Sequence, residues 1–379
     1  MRIGIVCYPT FGGSGVLATE LGKALADKGH SVHFITYQQP VRLNIFNANI
    51  YYHEVRVPTY PLFDYPPYEV ALASTMVDVI NNHGLDLLHV HYAIPHAATA
   101  YMAKQILKTQ GIDLPYITTL HGTDITLVGK DPTYAPVVTF SINQSDGVTA
   151  VSQDLKDQTY TNFQITSNIE VIPNFVDLTR FRKAKKEHFK KAIAPHGEKI
   201  LIHTSNFRKV KRTQDVVLIF QKVHEQIPSK LLLVGDGPER QNLEILCRDL
   251  NLSEYVRFLG KQDPVEELLA VSDLFLMPSE TESFGLAALE AMACQVPVIA
   301  SNAGGIPEIM IQGVTGFMSD VGDVDDMSSR AISILIDDQL HNQFKIQALE
   351  HAKKYDLEKV LPKYEAFYEK VLQDSTVVQ

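Results

Sequence analysis

Short apolar runs alternate with amphipathic stretches along nearly the whole chain. The first run, Ile3-Gly-Ile-Val-Cys7, leads into Pro9-Thr-Phe-Gly-Gly-Ser-Gly15 and a helical pattern from Val16 to Lys28 that stops at Gly29. Ser31–Thr36 again reads as a strand. Strand, glycine turn, helix and strand make a βαβ unit, which implies parallel pairing. The rhythm continues through strands at 85–90, 116–120, 147–151 and 169–172, with helices at 97–109 and 137–144. Pro173-Asn174 and the basic run Arg180–Lys191 interrupt it. A second series then supplies strands at 199–203, 230–234, 256–259, 273–277, 298–300 and 316–318. Helices fall between them, and two more close the chain near 325–353 and 357–373.

The fold class expected is therefore α/β, with two doubly wound, Rossmann-like halves. The boundaries expected are 1–173 and 174–354, with a C-terminal helix at 355–379 that crosses back to the first half. Ligands of such sheets bind at the carboxyl ends of strands, so a cleft between the halves is the expected site. Residues 37–69 break the pattern with Pro40, Pro58, Pro61, Pro66 and Pro67 and the aromatics Tyr51, Tyr52, Tyr60, Phe63, Tyr65 and Tyr68. A long irregular stretch of this kind suggests a substrate-side loop.

Length and composition narrow the function. At 379 residues, two domains are expected. A net charge of -10 and a pI near 5.8 argue against nucleic acid or an anionic membrane as partner. Cys7, Cys247 and Cys294 are far apart and form no CxxC pair, which suits a reducing cytoplasm and offers no zinc site. The run Ile3–Val6 is too short for a signal segment, and no stretch of about 18 apolar residues predicts a membrane span. A homo-oligomer is left open.

The candidate chemistry lies at strand ends. Residues 278–290, Pro-Ser-Glu-Thr-Glu-Ser-Phe-Gly-Leu-Ala-Ala-Leu-Glu, follow a strand and open a helix. Backbone N–H groups near Phe284, Gly285 and Leu286 would face an anion there, aided by the helix dipole. Glu282 and Glu290 bracket that cradle and suit the hydroxyls of a ribose and a hexose; the plain alternative is two solvated charges. Gly13-x-Gly15-x-x-Ala18 fits a dinucleotide fingerprint, but Thr36-Tyr-Gln-Gln-Pro40 lacks the acid that would hold a ribose. A nucleotide-binding oxidoreductase is thus disfavoured, while backbone N–H groups at Gly13 still suit a diphosphate. His121-Gly-Thr-Asp124 follows a strand, so His121 could bond sugar hydroxyls with Asp124 orienting it. The spacing of His89, His91 and His96 does not suit a three-histidine metal site. Ser205-Asn-Phe-Arg-Lys-Val-Lys-Arg212 puts four cations in five residues, which suits a phosphate. No nucleophile triad or P-loop is evident, and a nucleotide sugar fits better than a dinucleotide.

Glu282-x7-Glu290 with Ser-Phe-Gly-Leu between resembles the E-x7-E motif of the retaining GT-B glycosyltransferases of family 4. The resemblance extends to the first glycine turn, His121-Gly122, Pro173-Asn174, the Lys211 loop, Gly235-Asp-Gly-Pro238 and Gly304-Gly305-Ile-Pro-Glu308. Tyr8-Pro-Thr-Phe-Gly-Gly-Ser-Gly15, Tyr65-Pro-Pro-Tyr68, Leu120–Thr126 and Ser205–Arg212 resemble more narrowly the bacillithiol-pathway branch, which joins N-acetylglucosamine to L-malate. The resemblance implies UDP-GlcNAc as donor, L-malate as acceptor, and no metal or other cofactor. It implies that Glu290 holds the ribose, that Glu282 touches the hexose, and that Phe284, Gly285 and Leu286 offer N–H groups. Lys211 would contact the diphosphate, His121 the donor sugar, and Gly13 would lie under the diphosphate. Where the family has Gly-Arg this chain has Ser205-Asn206, so Asn206 would stand on the donor side and Arg208 would supply the guanidinium. Phe175 replaces a common glycine. Malate would meet Ser14, Tyr92 and Thr119, with Arg42 and Arg56 adding charge. The same fold with another acceptor, such as inositol phosphate or a polysaccharide, is the main alternative; a non-catalytic nucleotide-sugar binding module is another.

Overall fold

The structure is a computed structural model describing residues 1–43, 46–58, 61, 64–184 and 186–377. Tyr60 and Phe63 of the aromatic stretch lie outside the described residues. The chain divides into two compact units. One holds Met1–Pro173 and the C-terminal residues from Lys359; the other holds Asn174–Glu358.

The first unit is built on seven strands: β1 (Arg2–Val6), β2 (Ser31–Thr36), β3 (Ile50–Glu54), β4 (Leu87–His91), β5 (Tyr116–Leu120), β6 (Gly147–Ala150) and β7 (Ile169–Val171). Every pairing is parallel, in the order β3-β2-β1-β4-β5-β6-β7. The second unit repeats the plan with β8 (Lys199–Thr204), β9 (Ser229–Val234), β10 (Val256–Gly260), β11 (Leu274–Met277), β12 (Val298–Ser301) and β13 (Gly316–Ser319), in the order β10-β9-β8-β11-β12-β13. Parallel strands need crossover helices, and those helices cover both faces; the central strands β4, β5 and β11 are buried along their whole length for that reason. Strand order reverses between β1 and β4 in one unit and between β8 and β11 in the other. Such switch points open the crevice where ligands of these sheets bind.

Each unit has its own core. Leu72, Met76, Val79 and Ile80 of the helix Tyr68–His83 pack with Leu85, Leu88 and Leu107 in the first. Phe207, Phe220, Leu231, Leu276 and Phe344 centre the second. The stretch 37–69 is not one long loop. It contains the edge strand β3, and Tyr68 opens a helix whose apolar positions 72, 76, 79 and 80 follow helical spacing. A further helix, Gln153–Asn162, is too polar to show a strong apolar stripe; Ser152 announces it by accepting the Leu155 N–H at 3.1 Å.

From Lys359 on, the helix Leu357–Val377 belongs to the first unit. Phe367 and Val371 lie against Gly147, where a Cβ would stand 2.7 Å from Val371 Cγ2. Tyr368 is fully buried, and its hydroxyl meets His89 Nδ1 at 2.7 Å. Among the described residues no helix is long and apolar enough to cross a membrane.

Tyr368→Phe keeps the ring but leaves His89 Nδ1 without its partner. An orphaned buried nitrogen costs about 1–3 kcal/mol, so the variant should unfold at visibly lower urea than the parent. An unchanged transition would show that the bond contributes nothing.

Candidate active site

The carboxyl end of β11 runs into Pro278–Gly285 and then the helix Leu286–Ala293. Gly285 takes the left-handed conformation (φ 92°) that turns the chain into the helix, which begins without a side-chain cap. Its first N–H groups therefore point out of the turn, as an anion site requires. Two other glycines fix this turn from behind. The Gly305 N–H donates to the Glu282 carbonyl at 2.8 Å. A Cβ at Gly304 would collide with that same carbonyl oxygen, and one at Gly305 with the Ser283 carbonyl. Glu282 accepts from Ser279 Oγ (3.1 Å) and Lys211 Nζ (2.5 Å). Glu290 is half-buried on the helix that follows.

Lys211 comes from the carboxyl end of β8. The Glu280 N–H donates to the Val210 carbonyl at 2.8 Å, tying the two turns together. His203 and Ser205 shape the start of the loop. His203 Nδ1 donates to the Leu276 carbonyl (2.7 Å), so the neutral ring accepts from Ser205 Oγ at Nε2 (2.8 Å). Ser205 Oγ in turn accepts the Phe207 N–H at 3.2 Å. Gly235 and Gly237 pack on the Ser205 and Asn206 carbonyls, where a Cβ would collide. The Gly-Asp-Gly-Pro turn is thus a support for the cationic loop. Asn206 and Arg208 are exposed on it, and the Arg208 carbonyl accepts the Lys211 N–H at 2.8 Å.

In the first unit, β1 leads to the helix Gly13–Asp27, again without a side-chain cap. No atom lies within 4 Å of where a Gly13 Cβ would be, so its backbone faces open space. Gly15 has no such room: a Cβ there would strike the Tyr8 carbonyl. Ser14 Oγ and the Tyr92 hydroxyl share a hydrogen bond of 2.6 Å, which brings two of the expected acceptor residues together. Tyr92 also lies edge-on to Tyr8, with ring centroids 5.4 Å apart, and near His121 at 5.1 Å.

Thr119 has a different environment. It is fully buried, and its hydroxyl is shared between His89 Nε2 and Thr149 Oγ1, both at 2.7 Å. Asp124 does not orient the His121 ring either. Its carboxylate accepts the Ala93 and Gly122 N–H groups at 2.8 and 3.1 Å, so it holds backbone. The ring partner of His121 is His91, with Nε2 to Nδ1 at 2.8 Å. His96 Nδ1 donates to the His91 carbonyl at 2.5 Å, which leaves the lone pair on its Nε2. Arg56 pairs with Glu54 at 3.5 Å and is largely exposed. At its own strand end in the first unit His91 pairs with His121, and in the second unit His203 and Ser279 support the turns of β8 and β11; from the sequence His91 is weighed only as a metal ligand and the other two are not singled out. His203 precedes the cationic loop by two residues, a signal that could have found it.

Residues 11–180 match the family model described as Glycosyltransferase Family 4, and residues 184–351 match Glycosyl transferases group 1. The chain is 50% identical to N-acetyl-alpha-D-glucosaminyl L-malate synthase of Bacillus anthracis, across 99% of this chain and 98% of that protein. The chain belongs to the family-4 glycosyltransferases. Among solved structures, this glycosyltransferase resembles sucrose-phosphate synthase from Thermosynechococcus elongatus (TM-score 0.82, 19% identity, covering 98% and 99% of the two chains). It also resembles Anabaena Alr3699/HepE in complex with UDP-glucose (TM-score 0.81, 21% identity, covering 99% and 100%). Both likenesses give the GT-B fold.

The glycosyltransferase keeps its buried imidazoles neutral. Burial pushes His89 and His121 down to about 3, and His96 and His203 to about 4. Burial acts oppositely on Asp124, raising it to about 6. The unfolded chain binds protons at these histidines below about pH 6.5 while the native state does not. Their contribution is therefore full above about 6.5 and is lost as pH falls, by up to about 1.4 kcal/mol per unit for each. Asp124 partly offsets this between about pH 6 and 4. The thermal midpoint should accordingly be lower at pH 5 than at pH 7.5; a midpoint that rises on acidification contradicts the buried-neutral assignment.

Proposed function

We propose that this glycosyltransferase moves N-acetylglucosamine from UDP-GlcNAc to the hydroxyl of L-malate, giving GlcNAc-malate and UDP with retention at the anomeric carbon. This is the first step of bacillithiol biosynthesis, carried out in the cytoplasm. The observation that carries the reading is the 50% identity, across almost the full length of both chains, to a relative named for joining these two groups.

The geometry supports the donor side. Lys211 Nζ is held at Glu282, beside the uncapped helix at Leu286. A diphosphate there would meet the ammonium, the Arg208 guanidinium and the N–H groups of Phe284, Gly285 and Leu286. Such preorganised donors stabilise the charge that develops on departing UDP without a metal ion. Glu290 would hold the ribose hydroxyls and Glu282 the hexose. Gly13 would offer backbone N–H to the diphosphate, and Asn206 would stand on the donor side. Neutral His121 would bond a donor-sugar hydroxyl, its orientation set by His91. Ser14 and Tyr92 would bind malate; Thr119, enclosed among His89 and Thr149, would support β5 rather than touch the acceptor.

In the reaction, the bond from the anomeric carbon to the UDP phosphate oxygen breaks. The malate hydroxyl oxygen forms the new bond on the same face. Its proton passes to the departing phosphate oxygen, so no protein base is needed.

UDP release from UDP-GlcNAc, measured with malate and a panel of other hydroxy acids, inositol phosphate and oligosaccharides, tests the acceptor. Release with malate alone is expected; release only with another acceptor overturns the reading. Lys211→Ala should lower kcat by about 10²–10³ and change the malate KM only slightly. Undiminished kcat would remove Lys211 from the leaving-group role.

A further inference from the structure

Away from the switch point of the first sheet, three histidines distant in sequence come together. His33 lies on β2, His53 on β3, and His83 is the last residue of the helix Tyr68–His83. The parallel register pairs His33 with Tyr51 and Ile35 with His53, so His33 and His53 share one face of the sheet. The end of the helix brings His83 to that same face. One nitrogen from each ring lies within 4.8 Å of the other two. The cluster is graded: His33 is buried, His53 half-buried and His83 exposed.

We propose that His33, His53 and His83 form a three-imidazole site for a divalent late transition ion such as Zn²⁺, clipping β2, β3 and the end of the helix together. His33 Nδ1 and His53 Nε2 stand 3.0 Å apart. Two nitrogens on one tetrahedral zinc, each at about 2.1 Å, are about 3.4 Å apart, so only a small parting of the rings admits the ion. The other nitrogen of His33 meets Ser31 Oγ at 3.1 Å. In the tautomer whose Nε2 donates to that hydroxyl, the Nδ1 lone pair is left for the metal, the outer support that ligating histidines normally have. Tyr51 stacks on His33 with ring centroids 4.5 Å apart and fixes the plane of the ring.

Three charged groups lie near the cluster, Arg2, Asp86 and Asp78. Arg2 donates to the His83 carbonyl at 3.2 Å and opposes a cation, but Asp86 pairs with it. Asp78 acts on His53 in the favourable sense. Three nitrogen ligands select zinc, cobalt, nickel or copper over magnesium or calcium, which demand oxygen. The exposed side at His83 leaves water a fourth position. The assigned role is structural, since none of the donor or acceptor residues belongs to the cluster.

The test uses the untagged full-length protein, stripped with chelator and titrated with Zn²⁺, beside His83→Gln. His83 is exposed, so its replacement leaves the core intact. The parent should take up roughly one tight equivalent and gain several degrees in thermal midpoint, because an ion that binds only the native state stabilises it. His83→Gln should bind at least about tenfold more weakly and gain nothing. Co²⁺ should give the parent, and not the variant, the visible absorption of a four-coordinate nitrogen site. Equal Zn²⁺ uptake by the two proteins, or no gain in midpoint on saturation, overturns the proposal.

Discussion

The contact between Lys211 and Glu282 is the constraint on which the second unit's site depends. The two side chains leave different strand ends, β8 and β11, on either side of the point where strand order reverses. Both are mostly shielded, at 22% and 15% exposure. Two charges in that setting are costly to desolvate, and a pair of this kind adds little net stability. Its worth is positional. Without Glu282, the lysine ammonium would face the positive end of the helix at Leu286 with nothing to hold it there. With Glu282, the ammonium is held beside the uncapped start of that helix. The glycines follow from the same requirement, for Gly304, Gly305, Gly235 and Gly237 each press directly on the backbone of one of the two turns. A side chain at any of them would separate what the ion pair joins.

The first unit solves a different problem. Its strand end gathers imidazoles, His89, His91, His96 and His121, beside Thr119, Thr149 and Tyr368, with the Asp124 carboxylate holding backbone N–H groups nearby. Neutral rings tolerate burial where ions do not. The bond between His91 and His121 fixes the His121 ring, and the bond from His89 to Tyr368 ties the strand end to the C-terminal helix, the rings of His89 and His91 standing 4.4 Å apart. The partner that orients His121 is thus His91, 30 positions away in sequence, which no local motif contains.

The architecture was legible because parallel α/β sheets write themselves plainly: buried strands as apolar runs, glycine turns after them, amphipathic helices between. The turns that carry Glu282, Lys211 and Gly13 were legible for the same reason, since each follows the carboxyl end of a strand. What the sequence hid was long-range pairing. Asp124 follows His121 by three residues and looked like its partner, yet its carboxylate serves the turn backbone, whose buried N–H groups also need acceptors. Thr119 looked available at a strand end, but alternation along β5 turns its hydroxyl inward to His89. Residues 50–83 were hidden differently. Their prolines and aromatics masked an edge strand and a helix whose apolar spacing was present but sparse. The histidine cluster on β2 and β3 emerges only when the register is known.

The backbone records where this structure accepts strain. Tyr92, Phe207 and Arg212 adopt positive φ values of 83°, 37° and 45°, although none is glycine. Each such residue costs of order 1–3 kcal/mol unless its surroundings enforce it. All three lie just beyond the carboxyl ends of β4 and β8, the strands flanking the two switch points. The enforcing contacts are visible. Phe207 is fully buried beneath the Gly235–Gly237 turn, Arg212 Nε donates to Asp215 at 2.6 Å, and the Tyr92 hydroxyl is held by Ser14. The core burial of Phe207 therefore anchors the loop that carries Arg208 and Lys211.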